Sequence, residues 1–100
     1  MGNPDLRRTL VQTFLSDIRG RLARLGSLIA AGDASAVELE AHGLKGMCGT
    51  IGAVRCAELF SMLESRGQDR DLSGASDLLG AADDEVGRVE GVLAPILNAA

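Results

Sequence analysis

The chain contains one histidine, His42, followed by Gly43, Leu44, Lys45 and Gly46, and then by Met47, Cys48, Gly49, Thr50, Ile51, Gly52 and Ala53. A free imidazole titrates near pH 6.5 and is mostly neutral at pH 7, the form in which it is a competent nucleophile. Lys45 follows three residues later, which on a helix is the neighbouring surface, and its ammonium can reach a dianionic phosphoryl group. The rest of the machinery for phosphoryl chemistry is absent from the sequence. There is no Gly-rich loop for ATP, no carboxylate cluster for Mg²⁺ and no second histidine to act as a base. If His42 takes a phosphoryl group, a partner must bring the metal and the donor.

The surroundings of His42 follow from laying the segment out as a helix. With Val37 at the centre of the buried face and about 100° per residue, His42 points ~140° away, Gly46 ~180° and Gly49 ~120°. On the same count Lys45 lies ~80° away, Glu38 ~100° and Leu39 ~160°. The histidine is therefore expected in mid-helix, facing solvent. Glycine inside a helix costs about 1 kcal/mol relative to alanine, so three of them at 43, 46 and 49 need a reason. Without a Cβ, another molecule can approach the imidazole along the helix surface. Leu39 adds an exposed apolar contact. Leu39, Gly43, Gly49 and Glu38 are the candidate partner-binding residues, around His42, Lys45 and Gly46 as the candidate chemical ones.

Four amphipathic stretches must position this segment. Asn3-Pro4-Asp5 reads as a helix start, with a capping side chain, a proline at the first position and an acid in the first turn. Leu10, Phe14, Ile18, Leu22, Leu25 and Ile29 then recur at three- and four-residue steps to about residue 31, with Val11 and Leu15 widening the stripe. Gly20 and Gly26 leave open a bend or a break into two helices. Gly32 ends this helix and Asp33 caps the next, expected from Ala34 to Ile51 with Val37, Ala41, Leu44, Cys48 and Ile51 inward. After Gly52, a third helix is expected from Ala53 to Arg66, burying Cys56, Leu59, Phe60 and Leu63. Residues 67–72 read as a loop. Ser73 or Ser76 would cap a last helix with Leu79, Ala82, Val86, Val89, Leu93 and Ile96 inward, kinked or ended by Pro95. Short connections favour antiparallel neighbours. The expected fold is all-α: an antiparallel up-and-down four-helix bundle, a single domain over residues 1–100.

Composition agrees. Apolar residues make up 46% of the 100, with two Phe and no Trp or Tyr. Leucine and alanine favour helices, while the aromatic and β-branched residues that favour strands are scarce. The formal charge of −4 opposes nucleic-acid binding, and the arginines of the first helix read as a solvated face. Two cysteines make no disulfide framework; Cys48 and Cys56 read as buried free thiols in a reducing compartment. Met47 and Met62 read as core fillers. No apolar run approaches the ~20 residues of a membrane span, and no signal peptide precedes the first helix. The expectation is a cytoplasmic monomer.

The run from His42 resembles the signature of the histidine-containing phosphotransfer (HPt) family, His-x-Leu-Lys-Gly with a later Gly-Ala. His42, Leu44, Lys45, Gly46, Gly52 and Ala53 match as they stand, and the likeness extends back to Gly32-Asp33 and Ala41 and forward to Leu63-Glu64. The resemblance implies that His42 accepts a phosphoryl group through Nε2, that Lys45 neutralises its oxygens, and that Gly46 lets the partner close over the imidazole. It further implies a four-helix bundle, usually with a short extra N-terminal helix. It points to response-regulator receiver domains as partners, in a phosphorelay that includes a hybrid sensor kinase in some systems. The Mg²⁺ is expected on the receiver, and the chain needs no cofactor of its own. Met47, Cys48 and Gly49 depart from the small hydroxyl or alanine residues common after Lys-Gly. Glu64 stands open between a family-like structural contact and a solvated charge. The competing reading is a helical adaptor that binds a receiver or kinase without being phosphorylated. A kinase dimerisation segment fits poorly, because no ATP-binding motif follows.

Overall fold

A computed structural model of the chain describes residues 4–98 and contains four helices and, among those residues, no strand. They are α1 (Pro4–Ala30), α2 (Ala34–Thr50), α3 (Val54–Gln68) and α4 (Ala75–Asn98). Helix α1 packs on α2 and α4, and α3 packs on the same two, so α2 and α4 sit diagonally across the bundle. Cross-helix pairs fix the directions. Arg8 and Arg19 of α1 reach Leu97 and Glu90 of α4, and Arg24 of α1 reaches Glu40 of α2. Each helix runs against its neighbours.

The core is built from most of the stripes read from the sequence, with Ile29, Ile51, Leu79 and Leu93 partly buried at its margins and Ile96 outside it. Phe14, Ile18, Leu22 and Leu25 of α1 meet Val37, Ala41, Leu44 and Cys48 of α2, and Leu59, Phe60 and Leu63 of α3 meet Ala82, Val86 and Val89 of α4. Burying each Leu-sized side chain contributes about 1.5–3 kcal/mol, enough for these faces to drive association of the helices. Cys48 and Cys56 are free, buried side by side in this core, and burial pushes the Cys48 thiol up to about 12. Such a thiol carries almost no thiolate at neutral pH and is inert as a nucleophile.

The helix junctions are set locally. The Asp33 carboxylate accepts from the Ala36 N–H at 3.1 Å, the expected cap of α2. At the other end of α2, Gly52 has φ +77°, a conformation that a side chain disfavours, and the Ala53 N–H returns to the Cys48 carbonyl at 2.9 Å. This tight reversal starts α3 alongside α2.

One open point is resolved and several expectations are corrected. Helix α1 is continuous, with neither a break at Gly20 or Gly26 nor a separate short helix ahead of it among the described residues. Packing on both α2 and α4 outweighs the ~1 kcal/mol cost of each glycine. The expected Asn3 cap lies outside the described residues. Leu10 is 36% exposed and joins Leu6 on the surface, because the inward position at this level of α1 is taken by Val11, one step of ~100° on and only 3% exposed. Met62 is 49% exposed, one step of ~100° off the buried Leu63 side of α3. Helix α3 continues through Gly67, which is buried, so the loop is 69–74. Helix α4 begins at Ala75, which leaves Ser76 inside it, and the Ser73 N–H bonds Asp71 instead. Pro95 does not end α4. It removes one hydrogen bond from the final turns, and Arg8 of α1 covers the Leu97 carbonyl at 2.7 Å.

Candidate functional site

His42 stands at the middle of α2 with its side chain 67% exposed, pointing away from the core as the helical layout requires. Its imidazole is not loose. Nδ1 lies 2.8 Å from Glu64 Oε2, and the other oxygen of the same carboxylate, Oε1, accepts from Lys45 Nζ at 2.6 Å. Glu64 belongs to α3, so the constellation forms only where α2 and α3 pack together.

The carboxylate decides the tautomer. An ionised Glu64 can only accept hydrogen bonds, so the ring nitrogen that faces it must carry the proton. In the neutral imidazole the lone pair then resides on Nε2, the nitrogen aimed outward. Lys45 holds the Glu64 carboxyl below its ordinary value of 4.5, with His42 adding to the same effect. A carboxyl so lowered supports the fold fully above its ordinary value, and that support is lost as pH falls through the lowered one. At neutral pH the acceptor for Nδ1 is therefore in place. Losing a hydrogen bond to a charged group costs about 1.5–3 kcal/mol, equivalent to roughly ten- to hundredfold in rate. Glu64→Gln is expected to slow phosphoryl uptake by about tenfold, given the partial exposure of the pair. Stopped-flow transfer kinetics on the two proteins at matched receiver concentration measure this.

Sequence reasoning left Glu64 undecided between contact and solvated charge. The signal available was its place after Leu63, one residue off the buried face of α3 and pointing toward a neighbour. What could not be read was which neighbour. That depends on the depth at which α3 crosses α2, and Gly67 sets it. A Cβ at Gly67 would fall 2.6 Å from the Glu38 nitrogen and 2.7 Å from the Ala34 carbonyl oxygen. The backbones approach closely there, and one turn back along α3 Glu64 arrives opposite His42 and Lys45.

The remaining candidates divide. Gly46 and Gly49 face open space: an added Cβ would meet nothing within 4 Å. Leu39 is 75% exposed, one turn before His42 on the same outer surface. Glu38 is half-buried at the crossing with Gly67, so its backbone serves the α2–α3 contact. Gly43 differs from the open approach expected of it. The space where its Cβ would be is occupied by the guanidinium of Arg21, which comes from α1. Gly46→Gln is expected to keep or raise the melting temperature, since the site is open and glutamine is the better helix former. The same change places a side chain in the path to the imidazole and should reduce transfer at least tenfold; melting curves and transfer kinetics together check it.

Fold and site define a bundle domain that presents one carboxylate-held histidine on the outer face of a helix. The chain belongs to the Hpt domain family: the family's model, described as Hpt domain, matches residues 9–91. Domains of this family are histidine phosphotransfer carriers of two-component signalling rather than enzymes of the usual kind, and they interact with response-regulator receiver domains. Comparison with curated proteins and with solved structures gave no match. No helix among the described residues is long and apolar enough to cross a membrane.

Proposed function

We propose that His42 is the phospho-accepting residue of a phosphorelay, taking a phosphoryl group from the aspartate of one receiver domain and handing it to another. The observation that carries this reading is the bond of His42 Nδ1 to Glu64, which leaves Nε2 outward with its lone pair available. The Nε2 lone pair attacks the phosphorus of the aspartyl phosphate. The bond from phosphorus to the aspartyl oxygen breaks, its electron pair leaving with the carboxylate, and an Nε2–P bond forms. Nδ1 keeps its proton throughout, so the ring becomes cationic against Glu64, which stabilises it. Onward transfer reverses these bonds on a second aspartate.

Lys45 starts on Glu64 and, by rotation about its flexible stem, neutralises phosphoryl oxygens once they arrive. Gly46 and Gly49 leave room for the receiver, and Leu39 supplies apolar contact. The chain works as a cytoplasmic monomer over residues 1–100, without a cofactor; the Mg²⁺ of the reaction belongs to the receiver. The test is transfer from a panel of phosphorylated receiver domains with Mg²⁺ to wild type and to His42→Gln. Acid-labile, alkali-stable label on wild type alone supports the carrier. Binding of a receiver without any label would replace it by the unphosphorylated adaptor.

A further inference from the structure

The charge around the bundle is unevenly placed. Helix α4, diagonally opposite α2, carries Asp77, Asp83, Asp84, Glu85 and Glu90 against one arginine. Helix α1 is basic, and its arginines are not equivalent. Arg19 turns to α4, bonded to Asp83 and to Glu90, whereas Arg21 and Arg24 turn to α2. Both meet Glu40, whose side chain is only 13% exposed: Arg21 Nε bonds Oε2 at 2.9 Å and Arg24 Nε approaches Oε1 at 3.3 Å.

This hold places the Arg21 guanidinium across Gly43. Its Cζ would lie 3.3 Å and its Nη1 3.5 Å from a Cβ built there, and its Nη2 would overlap that atom. The glycine is what admits the group. Gly43 is the residue after His42 and lies one turn beyond the exposed Leu39, so the guanidinium borders the outer surface that surrounds the histidine. Arg21 spends Nε on Glu40, and among the described residues no hydrogen bond comes from either Nη group. Its side chain is 36% exposed. Two Nη groups presented side by side form a fork that matches a carboxylate in geometry and charge.

We propose that Arg21 is a partner-selecting residue: held by Glu40 across Gly43, it takes a carboxylate of the receiver domain at the α1 edge of the face around His42. The proposal rests on the phosphotransfer reading above, since that reading makes the partner a domain whose docking face carries an aspartyl phosphate. Charge complementarity favours this occupant. An acidic face is repelled by α4, with its five carboxylates against one arginine, and meets a balanced surface on the side of His42, where Lys45, Arg21 and Arg24 offset Glu38, Glu40 and Glu64. A contact of this kind governs encounter and discrimination between receivers more than the chemical step.

The experiment uses the full chain and the receiver that labels wild type in the panel, with transfer followed across receiver concentration at two salt levels. Arg21→Gln is expected to raise the half-saturating receiver concentration about fivefold near 0.05 M salt, with the difference nearly gone near 1 M, where charges are screened within ~3 Å. The saturated rate should move far less than that. Arg21→Lys, which keeps the charge without the fork, should recover the salt dependence and part of the affinity. Gly43→Ala should reproduce the loss by displacing the guanidinium, and the double variant should be no worse than Arg21→Gln, because the two changes remove one contact. Arg88→Gln on α4 is the control for a change of net charge. If Arg21→Gln behaves like that control, the proposal is overturned while phosphotransfer stands. If no receiver labels wild type, the phosphotransfer reading falls and the role of Arg21 falls with it.

Discussion

His42→Gln is expected to abolish phosphoryl uptake completely while leaving the bundle folded. The histidine is the only one in the chain, so no neighbouring imidazole can substitute. Glutamine retains comparable length and polarity but has no nucleophilic nitrogen, because the amide lone pair is delocalised into the carbonyl. The structural cost is small for three reasons. The side chain is 67% exposed, it contributes nothing to the core, and Glu64 keeps its partner Lys45 at 2.6 Å. A surface change of this type alters stability by less than about 0.5 kcal/mol. The measurement is label transfer from a phosphorylated receiver beside a thermal melt. Label on the variant would move the acceptor away from His42, and a collapsed melt would make the histidine a structural residue.

Gly67→Ala is expected to be the most destabilising single-methyl change in the α2–α3 pair. The added Cβ would sit 2.6, 2.7 and 2.9 Å from the Glu38 nitrogen, the Ala34 oxygen and the Glu38 Cα. All three are backbone atoms of α2, so no side chain can swing aside and the helices must separate. Overpacking of this kind costs about 1–3 kcal/mol, occasionally more, and the better helix propensity of alanine returns about 1 kcal/mol. A net loss of about 1–2 kcal/mol corresponds to roughly 4–16 °C in melting temperature for a domain of this size. The effect should reach the site as well. Separating α2 from α3 one turn from Glu64 lengthens its bond to His42, so transfer should slow by about tenfold even where the protein remains folded, as for loss of the Glu64 bond itself. Gly46→Ala, also in a helix but facing open space, provides the contrast: its melting temperature should not fall.

The two glycines show where sequence reasoning succeeds and where it stops. Both lie in helices and both cost helix propensity, and nothing in their types tells one from the other. Gly46 falls on the outer face of a strongly periodic stretch, so its openness follows from counting residues. Gly67 follows Arg66 and precedes a polar run, which favours a loop reading. Its burial arises because α3 lies so close to α2 that only hydrogen fits between them. The same distinction applies to leucines. Phe14, Ile18, Leu22 and Leu25 are core by period, but Leu10, expected on the same stripe, is exposed because Val11 takes the inward position at that level. Pro95 was expected to kink or terminate α4 and does not end it, because a single missing bond near the end of a packed helix is a small loss.

Residue type and spacing alone were sufficient for four helices, for their inward faces, and for a histidine that faces solvent in mid-helix with Lys45 one turn on and Gly46 beside it. Those features are local: they follow from 3.6 residues per turn, from caps and from turn residues, and each can be evaluated within one segment. The family resemblance centres on the same stretch and reaches from Gly32-Asp33 to Leu63-Glu64. What waited for the packed molecule was every group that reaches the histidine or its neighbour Gly43 from another helix. Glu64 of α3 holds Nδ1, and Arg21 of α1 fills the space at Gly43. Their positions depend on how deeply and at what offset neighbouring helices meet, which is the summed result of side-chain volumes along two interfaces, and no single segment contains that information.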